Sequence, residues 1–424
     1  GVQRWLKFTK YLRDFNYEPV IYTAEDPEYP SIDESLYRDV PEGITILKTR
    51  VWEPYKLYKW FTLQKKGHRI NTGFLNKDQK KGFAEKISVW IRGNLFIPDA
   101  RKFWIRPSVK YLSRNLKEHP VDIIVSTGPP HSIHLIGMGL AKATGIPWLA
   151  DFRDPWTKID FYKKLRLTSR SDKKHHLLER RVIRSANAIT VINKQMKNQF
   201  QELGGKNIHI VTNGFDADDF KPLTVPGNQE HGEDNISAGR FTLTHIGTIV
   251  PSRNPQLLWN VLEELIKENQ DLVKDLEIQL IGAADFSVIR SINEAGLKKW
   301  VKIFDYLPHE EVIKTLISSQ VLLLLINNTP NAEGIMTGKI FEYLNSGRPI
   351  LAIGPVNGEV DQVIKDTNTG HLVDFDDREN LKKQILEYYA LFKNKSLSVS
   401  ARNLEKYSRK YLTGKMAQVF NDLI

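Results

Sequence analysis

Short apolar runs alternate with longer amphipathic stretches along most of the chain, and this alternation limits the folds open to it. Runs of this kind predict buried parallel strands, and the stretches between them have helical spacing. The predicted strands are 19–23, 44–48, 122–126, 147–150, 188–192, 208–212, 241–246, 276–281, 301–304, 321–326, 349–353 and 371–373. The predicted helices are 5–15, 133–144, 175–185, 256–268, 309–317 and 379–392. The order strand, helix, strand indicates an α/β protein.

A polar stretch rich in turn formers, 226–235, interrupts the alternation and is interpreted as a domain linker. We therefore predict two doubly wound parallel-sheet (Rossmann-like) domains, 1–225 and 226–400, that face a central cleft. Ligands of such sheets bind at the carboxyl ends of the strands, which places the expected active site between the domains. A final helix is predicted at 401–424, and its packing back onto the first domain is one option.

Several classes of protein are excluded or disfavoured by what the 424 residues contain. There is no cysteine, and the longest aliphatic run is the six residues 321–326, far short of the roughly 20 that span a bilayer. The phosphate-loop pattern fails around Lys339 because Glu333 and Ile340 stand where it needs Gly and Ser or Thr. The dinucleotide fingerprint fails at 137–139, which lacks its third glycine. The chain opens without Met or an apolar signal region and is interpreted as trimmed.

Positive charge is concentrated in the first half. Residues 1–225 contain 39 Lys and Arg against 24 Asp and Glu, whereas the remaining residues contain 22 against 26. The segment 51–110 alone has a net charge of +10, and it contains Trp52, Trp60, Trp90 and Trp104. We favour an anionic membrane surface as its partner over plain packing of the aromatic rings and over single-stranded nucleic acid.

The block 331–350 carries the most informative chemistry. A glycine-containing loop follows the aliphatic strand and opens a helix with Lys339 and Glu342 in its first turns. Backbone amides at Gly338, beside Thr337, and the charge of Lys339 suit a diphosphate, while Glu342 could accept two ribose hydroxyls. After strand 241–246, Gly247 permits close backbone approach, and Arg253 offers forked donors to phosphate.

These features together resemble the retaining glycosyl transferases of family 4, also called group 1. The spacing Gly-x-x-x-x-Lys-Ile-Phe-Glu-Tyr-Leu-x-x-Gly-x-Pro-Ile, from Gly334 onward, is the most specific part. The resemblance implies the two-domain GT-B fold, a nucleotide-diphosphate sugar bound by the C-terminal domain, and an acceptor bound by the N-terminal domain. It also implies that no metal or other cofactor is required. The strand and most of the glycine loop that usually precede Gly1 in the family are missing from this sequence.

The resemblance assigns residues to each side of the reaction. The family's paired glutamates have seven residues between them, which puts the first at Gly334 with Glu333 adjacent, and its Arg-x-x-x-x-Lys falls on Thr248 and Arg253. The predicted donor-binding residues are Gly247, Thr248, Gly282, Tyr306, Leu307, Glu333, Gly334, Thr337, Gly338 and Glu342. The predicted catalytic residues are His131, Asp154, Arg253 and Lys339, and the predicted acceptor-binding residues are Gly1, Arg153 and Trp156.

On the acceptor side, polar residues follow two neighbouring strands. His131 comes after one strand, while Asp151 and Asp154 come at the end of the next, so these groups could hold or deprotonate an acceptor hydroxyl. A strand-end cap is the alternative for Asp151 and an Asp-Pro turn for Asp154. His134, His175 and His176 are interpreted as packing or surface residues. The sequence 216–218, an Asp-x-Asp, is interpreted as a solvated turn with capping aspartates rather than a metal site.

We therefore expect a retaining, metal-independent glycosyl transferase that moves a sugar from a nucleotide-diphosphate donor to a glycan or lipid-linked acceptor. The expected setting is bacterial-type cell-surface polysaccharide synthesis, in the cytoplasm and peripheral at the inner face of the membrane. Nucleic acid is not an expected partner. The alternatives are a sugar-nucleotide epimerase on the same fold and a noncatalytic scaffold that binds glycan or lipid.

Overall fold

The structure, a computed structural model, describes residues 2–25, 34–52, 83–159, 162–221 and 239–424. These residues form two compact units, one comprising Gly1–Thr212 with Leu412–Ile424 and the other Asn213–Tyr411. The linker interpretation for 226–235 lies outside the described residues. Each unit is built on parallel strands because the sequence joins successive strands by helical crossovers.

The described strands of the first unit form two parallel sheets. Strands β1 (Val20–Glu25) and β2 (Thr45–Arg50) pair with each other, and β3 (Ile124–Gly128), β4 (Trp148–Phe152), β5 (Ala188–Val191) and β6 (Ile208–Ile210) follow in that order in the second sheet. The helices of this unit are Val2–Leu12, Phe83–Leu95, Ile105–Glu118, Ser132–Thr144, Ser169–Ser185 and Lys194–Glu202. All residues of β4 and β5 are buried, as expected of inner strands covered on both faces.

The second unit contains one six-stranded parallel sheet in the order β12-β11-β10-β7-β8-β9. Its strands are β7 (Phe241–Ile246), β8 (Leu276–Ile281), β9 (Val301–Phe304), β10 (Val321–Leu325), β11 (Ile350–Ile353) and β12 (Gly370–Val373). Its helices are Gln256–Glu268, Gln270–Asp275, Phe286–Glu294, His309–Ser318, Lys339–Asn345, Glu359–Thr367 and Arg378–Lys393. The strand order reverses between β7 and β10, which makes that point the topological switch of the sheet.

The final helix is shorter than predicted. It spans Arg409–Asn421 rather than 401–424, and a single 3-10 turn, Leu404–Tyr407, precedes it. The helix begins there because the backbone at Ser408 is extended and its hydroxyl accepts a hydrogen bond from the amide of Tyr411. Side chains of this helix, including Met416 and Phe420, share an apolar core with Phe8 of the first helix.

A buried carboxylate joins five segments of the first unit. Asp151, at the end of β4, is fully buried and accepts hydrogen bonds from Arg4, from the Trp5 indole and from the hydroxyls of Thr127 and Thr190. Arg4 also donates to the carbonyl oxygens of residues 211 and 212. Burial alone would raise the pKa of Asp151, but the ion pair with Arg4 and these hydrogen bonds hold it at about 2.

Removal of Arg4 is expected to destabilise the first unit strongly. In Arg4→Met the buried carboxylate loses its counterion, which should lower the free energy of unfolding by about 3–5 kcal/mol in urea denaturation at pH 7. Because the folded pKa of Asp151 lies below the unfolded value of about 3.9, the stabilisation is complete above that value and is lost as pH falls toward 2. Arg13→Met is the control, since its pair with Glu18 is exposed to solvent and should contribute little to stability. Equal effects of the two substitutions would contradict the anchoring role of Asp151.

Candidate functional site

The candidate donor site lies at the switch point of the second unit. Chains leave β7 and β10 in opposite directions, which opens a crevice at their carboxyl ends where ligands of such sheets bind. The loop after β7 and the loop after β10 meet there. The amide of Asn328 donates a hydrogen bond of 2.6 Å to the carbonyl oxygen of Ser252, so the two loops are held together.

Two glycines allow a side chain to lie directly on the end of the sheet. Gly247 has a φ of +111°, and a Cβ added there would come within 2.5 Å of Cε and Nζ of Lys339. Gly282 has a φ of +107°, and its Cβ would lie 3.1 Å from the carbonyl carbon of Gly247. Both positions therefore require glycine, and Lys339 occupies the space that a side chain at Gly247 would fill.

The charge of Lys339 is strongly affected by its surroundings. Its amine lies 3.4 Å from Nε2 of His245, a fully buried side chain near the end of β7. Burial and the nearby Arg253 lower the pKa of Lys339 to about 7, although Glu342 opposes that shift. Sequence reasoning missed His245, because a single histidine in an apolar strand gives no sign of which residue it contacts.

Arg253 approaches the same crevice from the loop after β7. Its Nε donates to Oδ1 of Asn327 at 2.9 Å, and its Nη1 donates to the carbonyl oxygen of Thr248 at 2.9 Å. The guanidinium is therefore oriented by one residue from each of the two loops. The structure thus brings together Arg253, Lys339, Gly247, Thr248 and Gly282.

Glu342 lies one helical turn beyond Lys339 and is partly buried. Burial raises the pKa of its carboxyl, Asp219 adds to the rise, and the charges of His309, Arg409 and Lys339 oppose it. His309 and Asp219 are themselves close, with 3.4 Å between Nε2 and Oδ2. The carboxyl therefore lies among ionisable groups that come from distant parts of the second unit.

The remaining donor candidates surround this core less closely. Glu333 is exposed in the 3-10 turn Ala332–Gly334, and Tyr306 is 72% exposed next to the half-buried Leu307. The hydroxyl of Thr337 accepts a hydrogen bond of 3.4 Å from the amide of Lys339. Gly338 is exposed and precedes the seven-residue helix Lys339–Asn345.

The candidate acceptor residues of the first unit are grouped around His131. This side chain is 8% exposed, precedes the helix Ser132–Thr144, and stacks on Trp156 with 4.5 Å between ring centroids. Burial and the nearby charges of His134, His175 and Arg153 hold the pKa of His131 well below its ordinary value. The imidazole is therefore neutral near pH 7, and a neutral imidazole has one nitrogen that can accept a hydrogen bond or a proton.

Trp156 and Arg153 are fixed within the loop after β4. Trp156 is 3% exposed, and its indole N–H donates to Nδ1 of His175 at 3.0 Å. Arg153 is partly buried and donates to the carbonyl oxygens of Gly128 and Pro129. Asp154 is also partly buried in this loop, and Gly1 lies outside the described residues.

Groups that sequence reasoning missed support the acceptor candidates from behind. Glu179, 1% exposed, accepts hydrogen bonds from the amides of Trp156 and Thr157. Asp99 accepts one from the amide of Ser132, next to His131. Buried acidic residues that lie far along the chain from their partners give no short motif by which they could have been found.

Two interpretations of acidic residues need correction. Asp151 is no acceptor contact, because its carboxylate is fully buried and its oxygens are occupied by the hydrogen bonds described above. In 216–218 the capping interpretation is confirmed, since Asp216 accepts from the amide of Asp218. The solvated interpretation is wrong, since Asp216 is buried.

The packing or surface roles of His134, His175 and His176 are confirmed. The first two side chains are buried and the third is half exposed.

An aromatic patch lies on the first unit. We define it as Trp52, Leu95, Phe96 and Phe103 with Lys102 across two of the rings. Trp52 is 55% exposed and Phe103 is 48% exposed. Of the predicted tryptophans, Trp104 is buried against Tyr22, Trp90 is partly exposed, and Trp60 lies outside the described residues.

Family models match both parts of the chain. Residues 2–219 match Glycosyltransferase Family 4, and residues 240–390 match Glycosyl transferases group 1. The first match alone covers half of the sequence. The chain therefore belongs to glycosyltransferase family 4 and is a glycosyltransferase, which confirms the resemblance seen in its motifs.

Solved structures share the fold at low sequence identity. A glycosyltransferase from Rickettsia africae has a TM-score of 0.60 at 14% identity, with 99% of this chain and 94% of that chain covered. Sucrose-phosphate synthase from Thermosynechococcus elongatus has a TM-score of 0.58 at 12% identity, with 100% of this chain and 93% of that chain covered. WaaG, a glycosyltransferase involved in lipopolysaccharide biosynthesis, has a TM-score of 0.55 at 13% identity, with 99% of this chain and 95% of that chain covered. The predicted fold class, Rossmann-like α/β domains of the GT-B type, is confirmed.

No curated protein matches the chain in sequence. Within the described residues, none of the helices combines the length and the apolar character needed to cross a bilayer.

Gly247→Ala is expected to disrupt the donor site and the second unit. The new Cβ would overlap Lys339, and φ is unfavourable for alanine, so the free energy of unfolding should fall by about 2–3 kcal/mol. Gly247→Ala in a Lys339→Ala background is the matched control, because it keeps the φ of +111° but removes the amine that the new Cβ would overlap. In that background the substitution should lower the free energy of unfolding by about 1–2 kcal/mol, the backbone strain alone. Urea denaturation followed by circular dichroism compares the two, and equal losses would show that contact with Lys339 is unimportant.

Proposed function

We propose that the protein is a retaining, metal-independent glycosyltransferase that takes a sugar from a nucleotide-diphosphate donor. One observation carries this proposal. Lys339 and Arg253 both lie at the switch point, next to the backbone of Gly247, which has no Cβ. Two cations at a site with no Cβ in the way suit a diphosphate, which needs both charge and close approach. Cationic side chains at this position supply the charge that a metal ion supplies in other enzymes of phosphate chemistry.

Glu342 is proposed to bind the ribose of the donor. It is a partly buried carboxyl one turn from Lys339, and carboxylates accept hydrogen bonds from sugar hydroxyls. The raised pKa of Glu342 indicates that the protein's own groups do not fully compensate its charged form. Two hydroxyl donors would provide part of that compensation. Nucleotide binding should therefore favour the ionised carboxylate.

The transfer step follows from these assignments. The acceptor oxygen bonds to the anomeric carbon while the bond from that carbon to the phosphate oxygen breaks. The acceptor's proton passes to the departing phosphate oxygen, so atoms and charge balance. Lys339 and Arg253 stabilise the negative charge that develops on the diphosphate. Retention of configuration, with attack on the face that the leaving group vacates, is proposed from the family resemblance.

The acceptor is proposed to be a glycan or a lipid-linked glycan bound by the first unit. His131 is a neutral hydrogen-bond acceptor at the end of β3, and Arg153 and Asp154 lie in the adjacent loop. Trp156 stacks beneath His131 and limits its movement. His131 and Asp154 are the proposed contacts to the acceptor hydroxyls, with Trp156 as support.

The aromatic patch favours a place at the inner face of a cytoplasmic membrane, with cell-surface polysaccharide synthesis as the setting. Exposed rings of Trp52 and Phe103 beside Lys102 combine insertion into the headgroup region with attraction to anionic lipid. Arg101 and Arg106 flank the patch in sequence and add positive charge. A lipid-linked acceptor would then be presented close to the first unit.

Nucleotide binding tests the donor assignment. Calorimetry should detect binding of UDP or GDP, and a chelator should not weaken it. Glu342→Gln should reduce affinity by about 1–3 kcal/mol, the range for hydrogen bonds to charged groups, and Lys339→Met should also reduce it. Lys267→Met, which changes an exposed lysine paired with Glu263, is the control and should bind as the wild type does. A requirement for Mg²⁺ would refute metal independence.

Sugar transfer itself is tested by incubation with a panel of nucleotide sugars. Slow release of nucleotide with free sugar is the expected background reaction of a transferase without its acceptor. Conversion of the donor to a second nucleotide sugar would instead identify an epimerase. If the protein neither binds nucleotide nor turns over any nucleotide sugar, the remaining alternative is a noncatalytic scaffold that binds glycan or lipid.

Vesicle sedimentation tests the membrane assignment. The protein should bind vesicles containing anionic lipid more than neutral ones, and binding should weaken with salt because the Debye length is roughly 8 Å at physiological ionic strength. Combined Trp52→Ala and Phe103→Ala should remove the part of the binding that resists salt. Phe286→Ala is the control, since this exposed ring belongs to the second unit. Equal recovery in the supernatant with both kinds of vesicle would return the patch to a purely structural role.

A further inference from the structure

His245 has two different partners, and they determine which of its nitrogens carries the proton. Nδ1 lies 3.0 Å from the carbonyl oxygen of Leu323, and Nε2 lies 3.4 Å from Nζ of Lys339. A carbonyl oxygen can only accept, so Nδ1 is the protonated nitrogen of the neutral ring. Nε2 therefore directs its lone pair at the amine of Lys339.

We propose that His245 is a positioning residue that holds the charged amine of Lys339 in the donor site, and that it thereby determines the pH range in which the donor diphosphate binds tightly. This inference rests on the proposed function, since it concerns the same donor site. His245 does not itself contact the donor in this proposal. It acts on the diphosphate only through Lys339.

The surroundings of Lys339 show why an acceptor is needed there. Arg253 faces it from the loop after β7 and opposes its positive charge, whereas Glu342 on the same helix favours that charge. The hydroxyl of Tyr343 is engaged elsewhere, since it accepts from the amide of Ile246 and donates to Leu323. The lone pair of His245 is thus an acceptor within hydrogen-bond distance of the buried amine.

His245 stays neutral under the conditions in which Lys339 titrates. Burial and the charge of Lys339 hold the pKa of His245 well below its ordinary value, whereas the pKa of Lys339 is about 7. A protonated His245 would point a second donor at the amine and would repel it. His245 is fully buried in β7, so its ring is shielded from water.

The sign of the pH effect follows from these charges. The ammonium form of Lys339 attracts a diphosphate, so a bound diphosphate raises the pKa of Lys339 above about 7. Affinity should therefore be constant below that pH and should fall above it, by up to about tenfold per pH unit. Loss of the lone pair at position 245 disfavours the ammonium form, so the decline should begin at lower pH.

Two kinds of substitution separate the lone pair from the shape of the ring. In His245→Asn the shorter amide can still donate to the carbonyl of Leu323 but falls short of Lys339, and in His245→Phe the acceptor is lost while the ring is kept. In His245→Gln the side-chain oxygen can reach the position of Nε2 and accept from the amine. Only the first two should change the titration of Lys339.

The experiment is calorimetry of UDP and GDP binding between about pH 5.5 and 9, a range that includes the ordinary ionisation of histidine and the lowered ionisation of Lys339. Wild type and His245→Gln should begin to lose affinity near pH 7, and His245→Asn and His245→Phe about one pH unit lower. Lys339→Met gives the contribution of the nucleotide's own phosphate ionisation. Thermal unfolding shows which variants are folded. One folded variant without the lone pair, either His245→Asn or His245→Phe, is enough for the comparison with wild type.

The outcomes distinguish this inference from the proposed function. If wild type binds and a folded Asn or Phe variant loses affinity at the same pH as wild type, His245 does not position Lys339 and the inference is overturned. If neither variant folds, ¹⁵N NMR of the His245 ring in the wild type decides, because a proton on Nδ1 with an unprotonated Nε2 supports the inference and a proton on Nε2 overturns it. If wild type binds neither nucleotide at any pH, the proposed function fails instead.

Discussion

A charge buried at the carboxyl end of a parallel sheet must be given partners, and this requirement organises both units. In the first unit the carboxylate of Asp151 gathers Arg4, Trp5 and two threonines, which fixes the first helix against the sheet. In the second unit the amine of Lys339 lies on Gly247 beside His245. Without such partners, the desolvation free energy of either buried ion would strongly destabilise the folded chain.

The two buried charges are compensated to different degrees, and the difference has a functional meaning. Asp151 has a pKa of about 2, below its ordinary value, because its partners favour the charged form. Lys339 has a pKa of about 7, also below its ordinary value, but for a cation this means that the charged form is disfavoured. The first group is a completed structural anchor. The second belongs to the proposed donor site, where an anionic ligand would favour the charged form.

Much of the fold could be predicted from the sequence, because buried parallel strands are continuous apolar runs. Strands β7, β8 and β9 have the predicted bounds, as does the helix Gln256–Glu268. The start of the final helix was placed too early, since a single capping contact at Ser408 decides it. The helix Phe286–Glu294 was not predicted, because its buried face consists of Val288, Ser291 and Ile292, of which only two are apolar. The contact between His245 and Lys339 joins residues 94 positions apart, so only the folded chain shows it.

The same folded chain explains how a different set of cations could serve the proposed donor site. In the family pattern both cations would come from the loop after β7, but that pattern falls on Thr248 and Arg253, so this loop supplies only one of them. The electrostatic stabilisation of a diphosphate depends on the positions of the positive charges and not on the segments that carry them. Lys339 comes from the helix that follows β10, and because β10 is adjacent to β7 at the switch point, its amine reaches the backbone of Gly247. The strand order thus allows a lysine from a distant part of the sequence to take the place of one in the loop, and the glycine at 247 is what leaves room for it.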